Sequence, residues 1–319
     1  MFKRTLIRII MVIALAQSLP AQEADLARTL DSAASAYYLP GVRAAFGTFT
    51  YEFSDLPTPF SRWLEDRLLL AASKTSRVTV LNRNAAAALD PVLKDTYGAF
   101  LRETGADALL SGRYFMEGER VRVRIELTEL SSGTLIGAGD WVAPLASIPD
   151  YASVRPSAGA SERAKELSGL SGAQAGGLSV SVSTDRGSGG AYRSGESLAI
   201  LVGVNKDAYV RIYHVDSSGR LQLIWPNRFG GGDGKITAGS PVRLPPDASS
   251  PYAFVMEPPF GTEFIKAIAS TVPFADSQSD FSDLGSGARG IVTRGLAVTS
   301  TSSTKIEVAE SLASYYIGP

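Results

Sequence analysis

The pattern of apolar and polar positions is most regular between residues 207 and 227, where it predicts two strands joined by a tight turn. Largely apolar or aromatic side chains occupy both faces of the first strand, which is typical of a strand covered on both sides. This strand runs Ala208, Tyr209, Val210, Arg211, Ile212, Tyr213, His214 and Val215. Asp216 and Gly219 have the chemistry of a turn, and Pro226 ends the second strand because proline cannot donate to a ladder. The pattern therefore predicts a hairpin at the centre of a core.

Residues 42–142 have a different pattern, in which strands alternate with helices before a final meander. Helix starts are predicted at Thr58-Pro59 and at Asp90-Pro91, because a capping side chain precedes a proline whose missing N–H costs nothing there. Residues 120–130 alternate between aliphatic and charged or polar side chains, as in a sheet with one wet face. The predicted order is β-α-β-α-β-β-β, which indicates helices packed on one face of a mixed sheet.

Short strands separated by turns dominate the chain after residue 178, and this pattern is typical of a β-sandwich. Residues 143–177 are rich in Ala, Ser, Gly and Pro, so they predict a linker that has room for a short helix over Ala160–Ser168. We therefore expect an α+β protein. Its predicted parts are a mixed α/β layer domain over 22–150, a flexible linker over 151–177 and a β-sandwich domain over 178–319.

Residues 1–21 predict a cleaved secretory signal, since Lys3, Arg4 and Arg8 precede a short apolar run that small residues follow. The run is far below the roughly 18–20 residues of a spanning helix, so we do not expect an integral membrane protein. The sequence contains no Cys, which removes a lipoprotein's acylated cysteine, disulfides and thiolate sites. Its net charge of −1 gives no reason to expect a nucleic-acid partner. We expect a location in the periplasm or at the outer membrane, with secretion left open.

His214 is the only histidine, and the pattern places it in the middle of a strand. A Ser-His-Asp triad would have to use it, yet no nucleophile-elbow motif lies nearby, so we expect a packed or hydrogen-bonded structural His. Because the sequence has one His and no Cys, a metal site would have to be built from carboxylate and carbonyl oxygens. The acids of the predicted polar loop, Asp276, Asp280 and Asp283, lack the spacing of a calcium loop. Metal ligands and cofactors are therefore not expected.

Two sets of side chains are candidates for function. Turn carboxylates are the first set, because a pair of them can hydrolyse glycans, although acids beside glycines are also ordinary turn chemistry. They are Glu196, Asp207, Asp216 and Glu263. Aromatic rings on and beside the central hairpin are the second set, because exposed rings can form a ligand or partner surface. This predicted partner-binding surface comprises Tyr209, Tyr213, Trp225 and Phe229, with core packing as the alternative for Tyr209 and Trp225.

Several short motifs fall in a fixed order along the carboxy-terminal part. They are Tyr192-Arg193-Ser194-Gly195-Glu196, Lys206-Asp207-Ala208-Tyr209-Val210, Trp225-Pro226-Asn227 and Pro259-Phe260-Gly261-Thr262-Glu263. Through these motifs the segment from Leu178 to Phe274 resembles the bacterial domain of unknown function 4384. The resemblance implies a secreted or envelope-associated β module that is attached to varied partners. It implies no catalytic residues, since none are established for that family.

Further motifs lie within Val42–Val142. They are residues 76–83 (SRVTVLNR), residues 105–112 (GADALLSG) and residues 130–134 (LSSGT). With the predicted element order, they are similar to the curli-secretion lipoprotein CsgG, the flagellar outer-membrane protein FlgO and the amino-terminal domain of TolB. A CsgG-type pore needs long amphipathic hairpins and a lipid-bearing Cys, and this sequence has neither. The resemblance therefore implies a periplasmic α/β docking module rather than a pore.

The sequence favours a non-enzymatic, exported cell-envelope protein that serves as a binding or assembly module, with an envelope protein or a glycan as its partner. The alternative is a carboxylate-dependent hydrolase acting on cell-wall glycans, with Glu196 and Glu263 as its candidate acids. Under the first hypothesis no catalytic, cofactor-binding or metal residues are expected.

Overall fold

The computed structural model describes residues 21–37, 41–81, 105–168, 177–247, 249–274, 283–286 and 306–319. Nearly all of the predicted signal and the helix predicted after Asp90 lie outside these residues, as does most of the acidic loop. The chain forms two compact units, Met1–Arg155 and Pro156–Pro319. Among the described residues, no helix is long and apolar enough to cross a membrane.

The amino-terminal unit contains one mixed sheet of five strands with helices on it. Its elements are α1 (residues 21–34), β1 (Val42–Tyr51), α2 (Pro59–Ala72), β2 (Val78–Leu81), β3 (Ala108–Glu117), β4 (Arg120–Glu129) and β5 (Leu135–Pro144). The strand order is β2-β1-β3-β4-β5. β1 runs parallel to β2 and β3, whereas β3, β4 and β5 form an antiparallel meander. This is the mixed layer that the sequence predicts.

The core of this unit follows from the alternation in β4. Its aliphatic positions from Val121 to Leu127 are fully buried, and they join one cluster with apolar side chains of α1 and α2. α2 starts as predicted, since the Thr58 hydroxyl accepts a hydrogen bond from the Phe60 N–H at 3.1 Å. α1 packs closely on β5, because a Cβ at Gly137 would lie 1.9 Å from the Ala33 carbonyl oxygen. A glycine at this position therefore lets helix and sheet meet.

The carboxy-terminal unit is rich in strands. Its elements are α3 (Ala158–Ser168), β6 (Val180–Thr184), β7 (Gly190–Arg193), β8 (Ser197–Leu198), β9 (Ile200–Val204), β10 (Ala208–Val215), β11 (Arg220–Trp225), β12 (Lys235–Ile236), β13 (Val242–Leu244), β14 (Phe254–Val255), β15 (Gly261–Ser270), β16 (Asp283–Ser286) and β17 (Val308–Gly318). The larger sheet has the order β16-β11-β10-β15-β17-β7, with β12 beside β10. Smaller sheets have the orders β13-β9-β6 and β14-β8.

The larger sheet and the three-stranded sheet share one hydrophobic core, and strand β6 lies against β15 and β17. The predicted hairpin is β10 and β11, which pair antiparallel at the centre of the larger sheet. The tail around Tyr315 returns to this sheet as predicted, because β17 pairs with β15 on one side and β7 on the other. The prediction of an α+β protein with a β-rich carboxy-terminal region is confirmed.

Helix α3 lies inside the segment predicted as a linker. Its residues Ala160 and Leu167 are buried, and the helix packs against β15 within the carboxy-terminal unit. The Lys266 ammonium on β15 donates a hydrogen bond to the Leu167 carbonyl at 2.9 Å. Residues 158–168 therefore pack on a face of the larger sheet and are not a flexible linker. The division into domains at residues 150 and 178 stays a prediction.

Candidate ligand-binding cleft

A cleft of about 390 Å³ lies in the carboxy-terminal unit beside the central hairpin. The segment 252–259, which contains β14, lines it together with residues of β8, β10, β11, β15 and β17. Apolar side chains at Leu198, Ile224 and Ile265 form part of its wall, and all of them belong to the unit's core cluster. The cleft is therefore a place where the hydrophobic core reaches the surface.

Three polar side chains meet at one point of this wall. His214 Nε2 lies 2.8 Å from Glu263 Oε2, and the Tyr315 hydroxyl donates to the same oxygen at 2.8 Å. The Tyr315 oxygen is also 3.0 Å from His214 Nε2. The register explains the meeting, because Glu263 pairs with Tyr315 across β15 and β17, while His214 pairs with Ile265 two positions along β15. All three side chains therefore stand on one face.

The protonation of this cluster follows from its partners. The Glu263 side chain is only 4% exposed, and its second oxygen accepts from the Ser217 N–H at 3.3 Å. Burial and the neighbouring charge of Glu263 raise the pKa of Tyr315 well above its usual value, so its hydroxyl stays a donor. Since a carboxylate only accepts, the hydrogen-bond network assigns the proton of His214 to Nε2.

This assignment leaves Nδ1 of His214 as an acceptor in the neutral ring. Within the described part of the chain, no group donates a hydrogen bond to Nδ1. The imidazole lines the cleft and its side chain is 23% exposed. His214 is thus hydrogen-bonded, as the sequence predicts, and its Nδ1 also offers an oriented hydrogen-bonding group to a ligand.

The turn after β10 brings Asp216 and Arg220 to the cleft. Asp216 Oδ1 accepts hydrogen bonds from the N–H groups of Ser218 and Arg220, each at 2.9 Å. Burial opposes the charge of Asp216, but these hydrogen bonds and that of the Ser218 hydroxyl outweigh it and lower the pKa of the carboxyl. The predicted turn chemistry is present, and Asp216 stays a structural acid.

A second polar cluster surrounds Tyr192 on β7, the strand that pairs with β17 beside Tyr315. The Tyr192 hydroxyl donates to Asp185 at 2.6 Å, and the Arg186 guanidinium lies 4.4 Å from the centre of the Tyr192 ring. Arg186 also pairs with Glu196 at 3.0 Å, and Glu196 accepts from the Arg193 N–H at 2.7 Å. Glu196 is therefore engaged in its own turn and does not line the cleft. Glu263, in contrast, lies within β15 rather than on the turn where the sequence placed it.

The predicted aromatic surface has to be corrected for two of its members. Tyr213 is 1% exposed and Trp225 is 4% exposed, so neither offers a surface. Trp225 belongs to the core cluster, and Tyr213 stands opposite Lys266 on the sheet face against which α3 packs. Tyr209 is half-buried, whereas Phe229 is 47% exposed.

Sequence reasoning missed the partners of Phe229. Its ring stacks on Tyr252 at 5.4 Å, and Tyr252 meets Phe254 edge to face at 5.5 Å. Tyr252 and Phe254 both line the cleft. The alternation of aromatic residues at 252 and 254 was the signal that could have revealed this wall. Among the described residues, no group of acidic or histidine side chains is placed to hold a metal ion.

The family model for the domain of unknown function DUF4384 matches residues 191–273, so the predicted carboxy-terminal resemblance is confirmed. No curated protein sequence matches this chain.

Among solved structures, the LpoB C-terminal domain from Salmonella enterica is 14% identical, covers 37% of this chain and 93% of that one, and has a TM-score of 0.28. The PelC dodecamer from Paraburkholderia phytofirmans is 17% identical over 36% of this chain and 81% of that one, with a TM-score of 0.21. TolB from Acinetobacter baumannii is 10% identical. The match covers 77% of this chain and 73% of that one, with a TM-score of 0.21. Such low TM-scores do not establish a shared fold, and the amino-terminal resemblance is not confirmed.

Proposed function

We propose that this chain is a non-enzymatic binding or assembly module of the bacterial cell envelope and that the cleft beside the central hairpin is its ligand site. The partner is an envelope protein or a glycan, bound in the periplasm or at the outer membrane. The match to DUF4384 and the predicted signal at residues 1–21 support the compartment. The amino-terminal unit then serves as the docking part.

One observation carries the proposal: the cleft joins apolar and aromatic walls to an oriented hydrogen-bonding group. Half-buried Tyr252 and Phe254 and exposed Val255 supply apolar surface whose burial drives binding. His214, held by Glu263 and Tyr315, supplies a hydrogen-bonding nitrogen whose position is fixed before any ligand arrives. Apolar walls with a few convergent polar groups are the usual composition of a ligand site.

The alternative, a carboxylate-dependent hydrolase, needs two carboxyl groups on opposite sides of a bound sugar. Of its candidate acids, Glu263 lines the cleft while Glu196 is paired with Arg186 outside it. Glu263 already accepts hydrogen bonds from Tyr315 and from the Ser217 N–H. These contacts favour a binding site over a pair of catalytic carboxylates.

The test places a photo-reactive amino acid at Ala253, an exposed residue of the cleft, in cells of the native host. We expect a covalent adduct with one discrete envelope component, either a protein or peptidoglycan. The matched control is the same substitution at Ala238, which is also exposed but does not line the cleft. Equal labelling from both positions, or none from Ala253, would contradict the proposal.

Cell fractionation tests the compartment separately. We expect the mature protein in the periplasmic or outer-membrane fraction, without its first residues. A cytoplasmic pool with an intact amino terminus would overturn this part of the proposal. Soluble peptidoglycan fragments should remain uncleaved by the purified protein, and turnover that is lost on Glu263→Gln would support the hydrolase instead.

A further inference from the structure

The segment 252–259 meets the cleft in an unusual way. All of its residues from Tyr252 to Pro259 line the cleft in succession. In an extended chain, successive side chains point to opposite faces, so a strand that turns one face to a cleft lines it with every second residue. The continuous run at β14 therefore indicates that this strand presents its backbone edge to the cleft.

The pairing of β14 shows which backbone groups are free on that edge. Phe254 stands opposite Leu198 and Val255 opposite Ser197 on β8. Further along, the Met256 N–H donates to the Glu196 carbonyl at 2.9 Å, and the Met256 carbonyl accepts from the Gly195 N–H at 2.8 Å. In an antiparallel pair, hydrogen-bonded and non-hydrogen-bonded positions alternate. Phe254 and Met256 therefore direct their backbone groups to β8, and Ala253 and Val255 direct theirs away from it.

Those outward groups have no partner in the part of the chain that the structure describes. Neither Ala253 nor Val255 makes a hydrogen bond on the side away from β8. Val255 is 47% exposed, so the edge at this position is accessible. An unpaired strand edge beside an apolar cleft is the arrangement to which peptides bind as an added strand.

We infer that the cleft takes an extended peptide segment of a partner protein, which adds as a strand to the outer edge of β14. This inference rests on the proposed function and names the chemical class of its ligand. The peptide's backbone pairs with Ala253 and Val255, while its alternate side chains enter the cleft between Ile224 and Ile265.

The charges of the cleft define the peptide further. Of the acids that line it, Asp216 pairs with Arg220 at 3.3 Å, and Glu263 is buried against His214 and Tyr315. Glu257 is exposed and has no ion pair among the described residues. The segment therefore carries apolar side chains at alternate positions and a Lys or Arg side chain that faces Glu257. A regular row of backbone donors and acceptors suits a peptide better than a glycan, whose hydroxyl groups have no such repeat.

The test uses Val255→Pro in the full chain. Proline removes the outward N–H of residue 255 but no hydrogen bond to β8, and prolines are tolerated on strand edges. Val255→Thr is the matched control, because it keeps the N–H and a β-branched side chain. The probes are a phage library of random peptides, with synthetic copies of those that it enriches, and soluble disaccharide-peptide fragments of peptidoglycan.

We expect enriched peptides to bind the wild type and Val255→Thr equally and to bind Val255→Pro about tenfold or more weakly, because a backbone hydrogen bond is lost and the ring obstructs the added strand. The Val255 amide of the wild type should gain protection from hydrogen exchange when peptide is present. This second measurement needs no variant, so it remains decisive if Val255→Pro does not fold.

The contrary outcomes are distinct. Peptides that bind Val255→Pro as tightly as wild type, without protection of the Val255 amide, overturn strand addition. Binding of the peptidoglycan fragments alone overturns it too, but leaves the cleft as the ligand site. If neither probe binds, strand addition and the proposed ligand site both fall.

Discussion

Tyr315 stands directly opposite Glu263 across β17 and β15, and its hydroxyl donates a hydrogen bond of 2.8 Å to Glu263 Oε2. The contact ties the tail strand to the cleft, because the same oxygen lies beside His214 Nε2. Removing one donor from a buried carboxylate leaves part of its charge uncompensated. The Tyr315 hydroxyl therefore contributes both to the orientation of His214 and to the stability of the sheet.

Tyr315→Phe deletes this hydroxyl without changing the ring. We expect the free energy of unfolding to fall by about 1–3 kcal/mol, measured by urea denaturation. Tyr316→Phe is the control, since Tyr316 is its neighbour and makes no hydrogen bond through its hydroxyl within the described structure. Equal losses in the two variants would mean that the hydroxyl of Tyr315 contributes nothing specific.

Asp216 gives the protein a pH-dependent contribution to stability. Its folded pKa is lowered relative to an unfolded value of about 3.9, so its contribution is present above that value and is lost as the pH falls through the folded pKa. Asp216→Asn keeps an acceptor for the N–H groups of Ser218 and Arg220 but removes the charge. The wild type should be more stable than the variant near neutral pH, and the difference should shrink as the pH falls below about 3.9 and through the folded pKa. A difference that persists unchanged in acid would contradict this account.

The ammonium of Lys266 is buried, 1% exposed, and lies 2.6 Å from Glu310 Oε2 while it donates to Leu167. Lys266→Met should cost about 3–5 kcal/mol in the free energy of unfolding, because it leaves Glu310 buried without its cation. Lys206→Met breaks a Lys–Glu pair in which the lysine is 46% exposed, and it should cost less than about 1 kcal/mol. Adding Glu310→Leu to Lys266→Met should recover part of the lost free energy of unfolding. If the double variant is less stable than Lys266→Met, the unpaired Glu310 charge is not the reason for the destabilisation.

Fragments test the role of α3. Residues 156–319 form one compact unit, whereas a fragment that begins at Leu178 lacks the carbonyl of Leu167 that accepts from Lys266. We expect 156–319 to melt cooperatively and at a higher temperature than 178–319, since a hydrogen bond to a buried charge contributes about 1.5–3 kcal/mol. Equal melting temperatures, measured by circular dichroism, would show that α3 does not stabilise the sheet.

The strands of the central hairpin were predictable because their pattern is local. Aliphatic and aromatic side chains from Ala208 to Val215 fix a strand covered on both faces, whatever covers it. What covers Tyr213 could not be predicted. The helix that packs on its face buries only Ala160 and Leu167, too little apolar surface for the sequence of α3 to indicate packing.

The candidate site was less predictable than the fold, since its members come from distant strands. Glu263 lies 49 residues from His214 and 52 from Tyr315, and only the register of β10, β15 and β17 brings them together. A single sequence indicates where strands lie but not which residues face each other across them. The sequence therefore predicts Glu263 in a turn and Trp225 in the aromatic surface, whereas Glu263 lies in β15 and Trp225 in the core.

The position of β17 in the larger sheet has a consequence for biosynthesis. This strand is the last described one to leave the ribosome, yet it lies between β15 and β7, which are made earlier. Until residues 308–318 emerge, both neighbours keep a bare edge and the Glu263 carboxylate lacks the Tyr315 hydroxyl. The segment that matches DUF4384, residues 191–273, ends before this strand begins. The sheet is therefore completed only when β17 pairs, and a chain in which β17 has not yet paired exposes two open strand edges to chaperones and to other copies of itself.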